Sequence, residues 1–460
     1  MNNKKVPVTA ANCNGKSVEL NKLIGDLLDS SSICNSFKSY KLIGKISIHT
    51  YELTKRMSMM DFCELYGRVR SFVIKRSKSS ELYRKKLQYL PFDIHEKYRK
   101  TESKNTKSRK RFRSKTKFRF FPTINVAYGI RLFMYYFDDI GTVKLIIDPS
   151  LVIASHHENF NPLTYDYTQI AERDLNFWIE VTAYVNIFIG HWDIAPHSDS
   201  PWMLTRIDAT ANIEVESNIR IPQLLYYLKR TIKRSSYHNI NDRYKNQDSH
   251  IMECGNKSQR FIVYDKTYEQ FVRYGRKFSN KILRFECKML PRRIYALKRK
   301  LRQEKIIVDY SNTLGILVAA SYLAPFIMYE AICNIFTKGD FYSESAVLKI
   351  LKKDKSRPGT KEEILAFMCK ISSFTSYTNI SKFIKLQQKI YGYNMVYRKL
   401  KYLQDRNISP ILLEDRHTTR YKKFPSIRSI FLSAIINGYN TGLSDELDYI
   451  QSFLPDLPNQ

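Results

Sequence analysis

Residues 260–266, RFIVYDK, end an apolar run with a phenol, a carboxylate and an amine in succession, and Glu269 follows three positions later. A tyrosine oxygen can attack a phosphodiester, but a phenol with a pKa of about 10 is a poor nucleophile at neutral pH unless a cation lowers that value. Period-two spacing brings Lys266 to the same side as Tyr264, where it could act as that cation. Two other stretches carry chemistry in the same alternating way. In 202–209, Arg206 and Asp208 share a side, and in 282–289, Arg284, Glu286 and Lys288 stand opposite Leu283, Phe285, Cys287 and Met289. If the three strands are neighbours, one sheet face gathers Asp208, Tyr264, Lys266, Arg284 and Glu286. Two carboxylates there could hold a hard cation such as Mg²⁺, or Mn²⁺ in its place, which would polarise a phosphate. The plainer reading of the same residues is the wet face of an antiparallel sheet, with acids and bases paired across strands.

These strands sit in a longer alternation. INVAYGIRLFMYYF (124–137), TVKLIIDPSLVIA (142–154), WMLTRIDATANIEVE (202–216), RFIVYDK and KILRFECKML (281–290) have strand character. Helical spacing marks 167–189 and 221–234. From about residue 305 the chain reads as helical: GTKEEILAFMCKISSF (359–374) opens with Thr360 and Glu363 at capping-box spacing, and 379–392 and 394–407 follow, each with a basic, tyrosine-bearing face. No glycine-rich phosphate loop and no clean βαβ series interrupts this order. The expected class is α+β, a largely antiparallel sheet with flanking helices, followed by a helical C-terminal domain. Three regions are expected: 1–119, 120–304 and 305–460.

The chain has 460 residues with 76 Lys and Arg against 44 Asp and Glu, a formal charge of +32, which calls for a polyanionic partner. With 32 Tyr and 26 Phe available to stack on bases, nucleic acid suits it better than an anionic membrane surface. Residues 97–119 hold twelve Lys or Arg and one acid, and read as a flexible basic arm that grips phosphates through residues such as Lys110, Arg111 and Arg113, or as a solvated linker. Seven scattered cysteines without a C-x-x-C pair argue for free thiols in a reducing compartment. The N-terminus lacks the apolar core of an export signal. The apolar stretch 313–336 is long enough to cross a bilayer, but Pro325 and Glu330 favour a buried helix or two short ones broken at the proline. The chain holds no His-hydrophobic-His pair; His156, His157, His191 and His197 read as surface or loop residues.

In that order and at that spacing, RIDAT (206–210), YDK with Glu269, and LRFE (283–286) resemble the gene II replication proteins of filamentous phages, within the wider group of rolling-circle replication initiators. IIDPSLVIASHHENF is similar to that family's strand, turn and Gly-His-Asn segment, with Ser155 in place of the glycine, and GTKEEILAF and YGYNMVYRKLKYLQDRNIS to its helical C-terminal region. The resemblance covers roughly residues 120–415 and is sparse outside the motifs. It implies a rolling-circle-type nicking domain and a site-specific DNA endonuclease that nicks and rejoins a phage origin in the host bacterial cytoplasm, alongside host helicase and polymerase and without a membrane. It passes the nucleophile to Tyr264 with Lys266 as partner, metal binding to Asp208 and Glu286 with Glu269 a further candidate, and the histidine of its Gly-His-Asn segment to His156; Arg206 and Arg284, basic and on the same strands, are candidate DNA contacts. The alternative is a basic single-stranded DNA-binding or regulatory protein without catalysis; a further rival, resting on 313–336, is a membrane-associated assembly protein.

Overall fold

A computed structural model describes residues 40–90, 117–137, 140–154, 175–194, 201–232, 238–239, 250–275, 277–303, 313–355, 357–373, 380–414, 421 and 423–438. Residues 97–116 of the basic arm, with Lys110, Arg111 and Arg113, and His156, His157 and His197 lie outside them, whereas the arm's last three residues, Lys117 to Arg119, begin a strand.

The chain divides into two compact units that each draw on several stretches, rather than into three consecutive regions. The smaller takes Ile48–Asp208 and Val308–Tyr322; the larger takes Met1–Ser47, Ala209–Ile307 and Leu323–Gln460.

In the smaller unit the first long element is β1 (Lys41–Met57), whose residues from Ile48 onward belong here. Ser58 then caps α1 (Met59–Ser77) by accepting from the Asp61 amide, and α2 (Glu81–Gln88) follows. The strands β2 (Lys117–Ala127), β3 (Ile130–Phe137) and β4 (Ile140–Ile147) form antiparallel neighbours, and β1 pairs antiparallel with β4 from Tyr51↔Ile147 to Met57↔Gly141. β1 is the strand that the composition of the N-terminal region concealed, because its polar Thr50, Glu52 and Thr54 are buried beside apolar Leu53 and Tyr51. Glu52 is satisfied there by Lys144 at 2.7 Å and the Thr205 hydroxyl at 2.8 Å. Residues 149–154, expected to extend a strand, instead form a short helix, α3 (Pro149–Ala154). Asp148 accepts from the Leu151 amide and proline occupies the first turn, where its missing N–H costs nothing. Helix α4 (Leu175–His191) sets Trp178 edge-on to Tyr51 at 6.2 Å.

In the larger unit β5 (Met203–Val215) contributes its residues from Ala209 onward. Helix α5 (Ile221–Arg230) buries Leu224, Leu225 and Leu228. The strands β6 (His238–Asn239), β7 (Ile251–Gly255) and β8 (Gln259–Asp265) precede α6 (Lys266–Tyr274) and β9 (Lys281–Met289), and the neighbour order is β5-β9-β8-β7-β6, with β6 to β9 antiparallel. The three strands expected to adjoin do so. Helix α7 (Pro291–Gln303) follows. The apolar stretch 313–336 resolves into α8 (Thr313–Tyr322), which belongs to the smaller unit, and α9 (Ala324–Ile335), which carries Pro325 in its first turn, where a missing N–H costs nothing. Among the described residues no single helix is long and apolar enough to cross a membrane.

The remainder is helical apart from β10 (Phe341–Tyr342), which pairs with β11. Its helices are α10 (Glu344–Lys353), α11 (Pro358–Ser372), α12 (Ile380–Tyr391), α13 (Tyr393–Asp405) and α14 (Ile427–Gly438), with β11 (Lys423–Phe424) before the last. Thr360 is not the cap of α11, which begins two residues earlier at Pro358, so the Thr360/Glu363 pair lies inside the helix. One face of β8 and β9 is a dry core. Phe261 and Phe285 are buried there, packing on Phe336 and Phe431, while Tyr329 stacks on Phe431. Burial of rings this size dominates the local energetics. The chain is thus an α+β protein with large antiparallel sheet structure and many helices.

Candidate active site

Opposite that dry face, the alternation of β8 and β9 projects Ile262 and Tyr264 from one strand and Ile282, Arg284 and Glu286 from the other. The register pairs Tyr264 with Arg284 and Ile262 with Glu286, so Tyr264 and Glu286 are diagonal neighbours, within reach of long side chains. The Tyr264 hydroxyl donates to Oε1 of Glu286 at 2.9 Å. Oε2 of Glu286 lies 3.4 Å from the Lys288 ammonium. Arg284, 2% exposed, donates through Nε to the Asn212 side-chain oxygen on β5 at 2.6 Å. A buried guanidinium needs such partners, and Asn212 is a member of the site that sequence reasoning passed over.

Burial pushes the Tyr264 phenol well above the ordinary tyrosine range; Arg284 pulls it back down, and Glu286 and Glu269 push it further up. The expected role of Lys266 is therefore corrected. Period-two bookkeeping fails after Asp265 because the strand ends there: Asp265 caps α6 by accepting from the Tyr268 amide at 2.9 Å, and Lys266 is the first helical residue. Its ammonium lies 2.9 Å from Oε2 of Glu269, whose Oε1 pairs with Arg273 at 2.8 Å. The cation that acts on the phenol is Arg284.

The carboxylates expected to bind a metal are spoken for. Glu269 serves Lys266 and Arg273, Glu286 accepts from Tyr264, and Asp208, buried in the β5 segment of the smaller unit, is held in a fork by Arg206, with Nε 2.7 Å from Oδ1. Among the described residues no three His, Cys, Asp or Glu side chains gather in the way a metal ion needs. Arg206 is thus engaged by Asp208.

A second cluster without a sequence-level signal adjoins the start of α6. His250 Nδ1 lies 3.1 Å from Oδ2 of Asp265, and the His250 ring stacks on Tyr268 with centroids 3.7 Å apart and planes 9° apart. His191, at the last turn of α4, is exposed. Cys254 and Cys287 are buried free thiols, and Cys63, Cys333 and Cys369 are also free.

Chemically, the β8–β9 face offers a phenol, a carboxylate that already accepts its proton in a hydrogen bond, and a buried guanidinium next to both. That is the minimum set for a nucleophile with its base and a cation for developing phosphate charge. Compared with protein-family models, curated proteins and solved structures, the chain matches none.

Proposed function

We propose that the chain is a DNA nicking and closing enzyme that works through Tyr264, in the manner of the rolling-circle initiators that its RIDAT, YDK and LRFE segments resemble. The observation that carries this reading is the 2.9 Å hydrogen bond from the Tyr264 hydroxyl to Glu286 on the adjoining strand. Because burial keeps the phenol protonated at neutral pH, attack must be coupled to proton removal. The Tyr264 oxygen bonds to phosphorus as its proton passes to Glu286; the P–O3′ bond breaks and the departing oxygen takes up a proton. The products are a 5′-phosphotyrosyl link and a 3′ hydroxyl that a polymerase can extend. Reversal of the same step closes the strand. Arg284 supplies the positive charge nearest the phenol, and the formal charge of +32 suits a DNA substrate.

The test uses negatively supercoiled plasmids carrying inserts from the genome that encodes the chain, incubated with the full-length protein with and without Mg²⁺. The expected product is a nicked circle with protein attached through residue 264, identified by mass spectrometry. Tyr264→Phe should give no adduct, and Glu286→Gln, which keeps an acceptor but not a base, should nick about 10²–10⁴ times more slowly. Equal nicking by Tyr264→Phe and the parent would remove the nucleophile. A second reading, a DNA-binding protein without chemistry, draws on the same burial of the phenol; tight binding by the parent with no adduct in any plasmid would decide for it.

A further inference from the structure

Helices α12 and α13 are joined by a single residue, Gly392, whose φ of 83° lies in the left-handed region that glycine adopts without strain. The two helices pack on each other, and their buried residues are Ile380, Phe383 and Gln387 from one and Val396 and Leu403 from the other, with the Phe383 ring against Phe367 of α11. Their other sides are exposed and of unusual composition. Tyr393, Tyr397 and Lys401 recur every four residues and form one stripe along α13. Tyr393 and Tyr397 are 63% and 51% exposed, and their rings lie nearly parallel, 10° apart with centroids 6.1 Å apart. Lys385, Lys389 and Arg398 are exposed on the same two helices, as are Leu386, Ile390 and Met395.

A contiguous exposed apolar and aromatic surface marks an interaction site, and an apolar partner would leave the basic groups of the same helices without a counter-charge. The sequence of the two helices holds six basic residues and one acid, Asp405, at the far end. A partner that is both anionic and supplied with flat unstacked rings satisfies the two demands together. Duplex DNA hides its ring faces within the stack, whereas a single strand exposes them.

We propose that the α12–α13 hairpin is a single-stranded DNA platform, on which Tyr393 and Tyr397 stack with bases while Lys385, Lys389, Arg398 and Lys401 neutralise the phosphates alongside. It is a binding surface separate from the residues of the Tyr264 chemistry and does not depend on that chemistry.

The experiment is fluorescence anisotropy of the full-length protein against three labelled probes: a dT20 oligonucleotide, a 20-base-pair duplex and heparin, a polyanion without bases. Tyr393→Ala/Tyr397→Ala should weaken dT20 binding by roughly tenfold or more and leave heparin binding within about twofold. Tyr393→Phe/Tyr397→Phe, which keeps the rings, should restore it. Neutralising Lys385, Lys389, Arg398 and Lys401 to Gln should flatten the dependence of log affinity on log salt by about 3, at roughly 0.7 per phosphate contact on a single strand. The anisotropy readout needs no covalent adduct, so its outcome is distinguishable from that of the nicking reading on which the plasmid test bears. Unchanged dT20 affinity in the double alanine variant, or an equal loss on heparin and duplex, would overturn the proposal. So would sedimentation showing that the parent is a dimer and the double variant a monomer, since the occupant would then be a second copy of the chain.

Discussion

Tyr264 stands directly opposite Arg284 in the β8–β9 ladder, and its hydroxyl reaches two pairs further along to Glu286. The phenol, the carboxylate and the guanidinium are thus placed by strand register, with no loop involved. Such a site is as rigid as the sheet that carries it, and its parts fail in distinguishable ways.

Lys266 belongs to Glu269 rather than to the phenol. Lys266→Met is therefore expected to leave the ionisation of Tyr264, followed by ultraviolet difference titration, where it is in the parent. It should lower stability in urea by about 1–2 kcal/mol, because a largely buried Glu269 is left with Arg273 alone. A clear upward shift of the phenol on losing Lys266 would contradict the arrangement.

The Arg206–Asp208 fork predicts a structural effect from Asp208→Asn. Removing one charge from a pair whose acid is buried should cost about 1–3 kcal/mol, discounted from the fully buried case because Arg206 is partly exposed. Arg206→Met/Asp208→Leu should recover most of that loss, since no charge is then left uncompensated. Chemical denaturation of both variants checks this.

Several buried tyrosines set an alkaline limit. Burial pushes Tyr66 up to about 12, with Arg70 drawing it back, and pushes Tyr227 up to about 12. Tyr51 and Tyr264 are raised still further. Above about pH 10 the unfolded chain releases these protons while the folded chain keeps them, so the unfolded state binds fewer protons and stability falls as pH rises. Each retained proton should cost about 1.4 kcal/mol per pH unit between 10 and 12. Melting temperatures followed from pH 7 to 11 should be flat to about 10 and then drop steeply, with phenolate absorbance appearing together with unfolding.

Gly339 has φ 111°, and a Cβ there would sit 2.3 Å from the carbonyl carbon of Ile408. Gly339→Ala is expected to destabilise the chain by about 2–4 kcal/mol, through backbone strain and the forced retreat of the segment around Ile408. The neighbouring Asp340, fully buried and bound to Ser426, Ser429, Asn407 and Lys423, would feel that retreat. Equilibrium unfolding in urea measures the cost.

The strands that carry the candidate site were legible because alternation survives wherever one face is dry: Leu283, Phe285, Cys287 and Met289 announced β9, and Phe261 and Val263 announced β8. What was not legible lies where capping overrides alternation. Asp265 and Asp148 both end strands by capping the helices that follow, so Lys266 left the expected face and residues 149–154 became helical. β1 went unread because it is buried on both faces and mixes threonines with apolar residues, which erases the period of two. Asn212 and His250 escaped notice because their roles arise from contacts with Arg284 and Asp265, far from them in sequence or across a ladder.

Seven consecutive ladder pairs tie β1 to β4. A truncated chain begun at residue 120 would strip Gly141–Ile147 of that partner and present Val143, Leu145 and Ile147 along a bare edge, a template on which other molecules could align. The N-terminal strand is thus an interior member of the sheet and no appendage to it, and shortened versions of this protein that omit it should aggregate before they can be assayed.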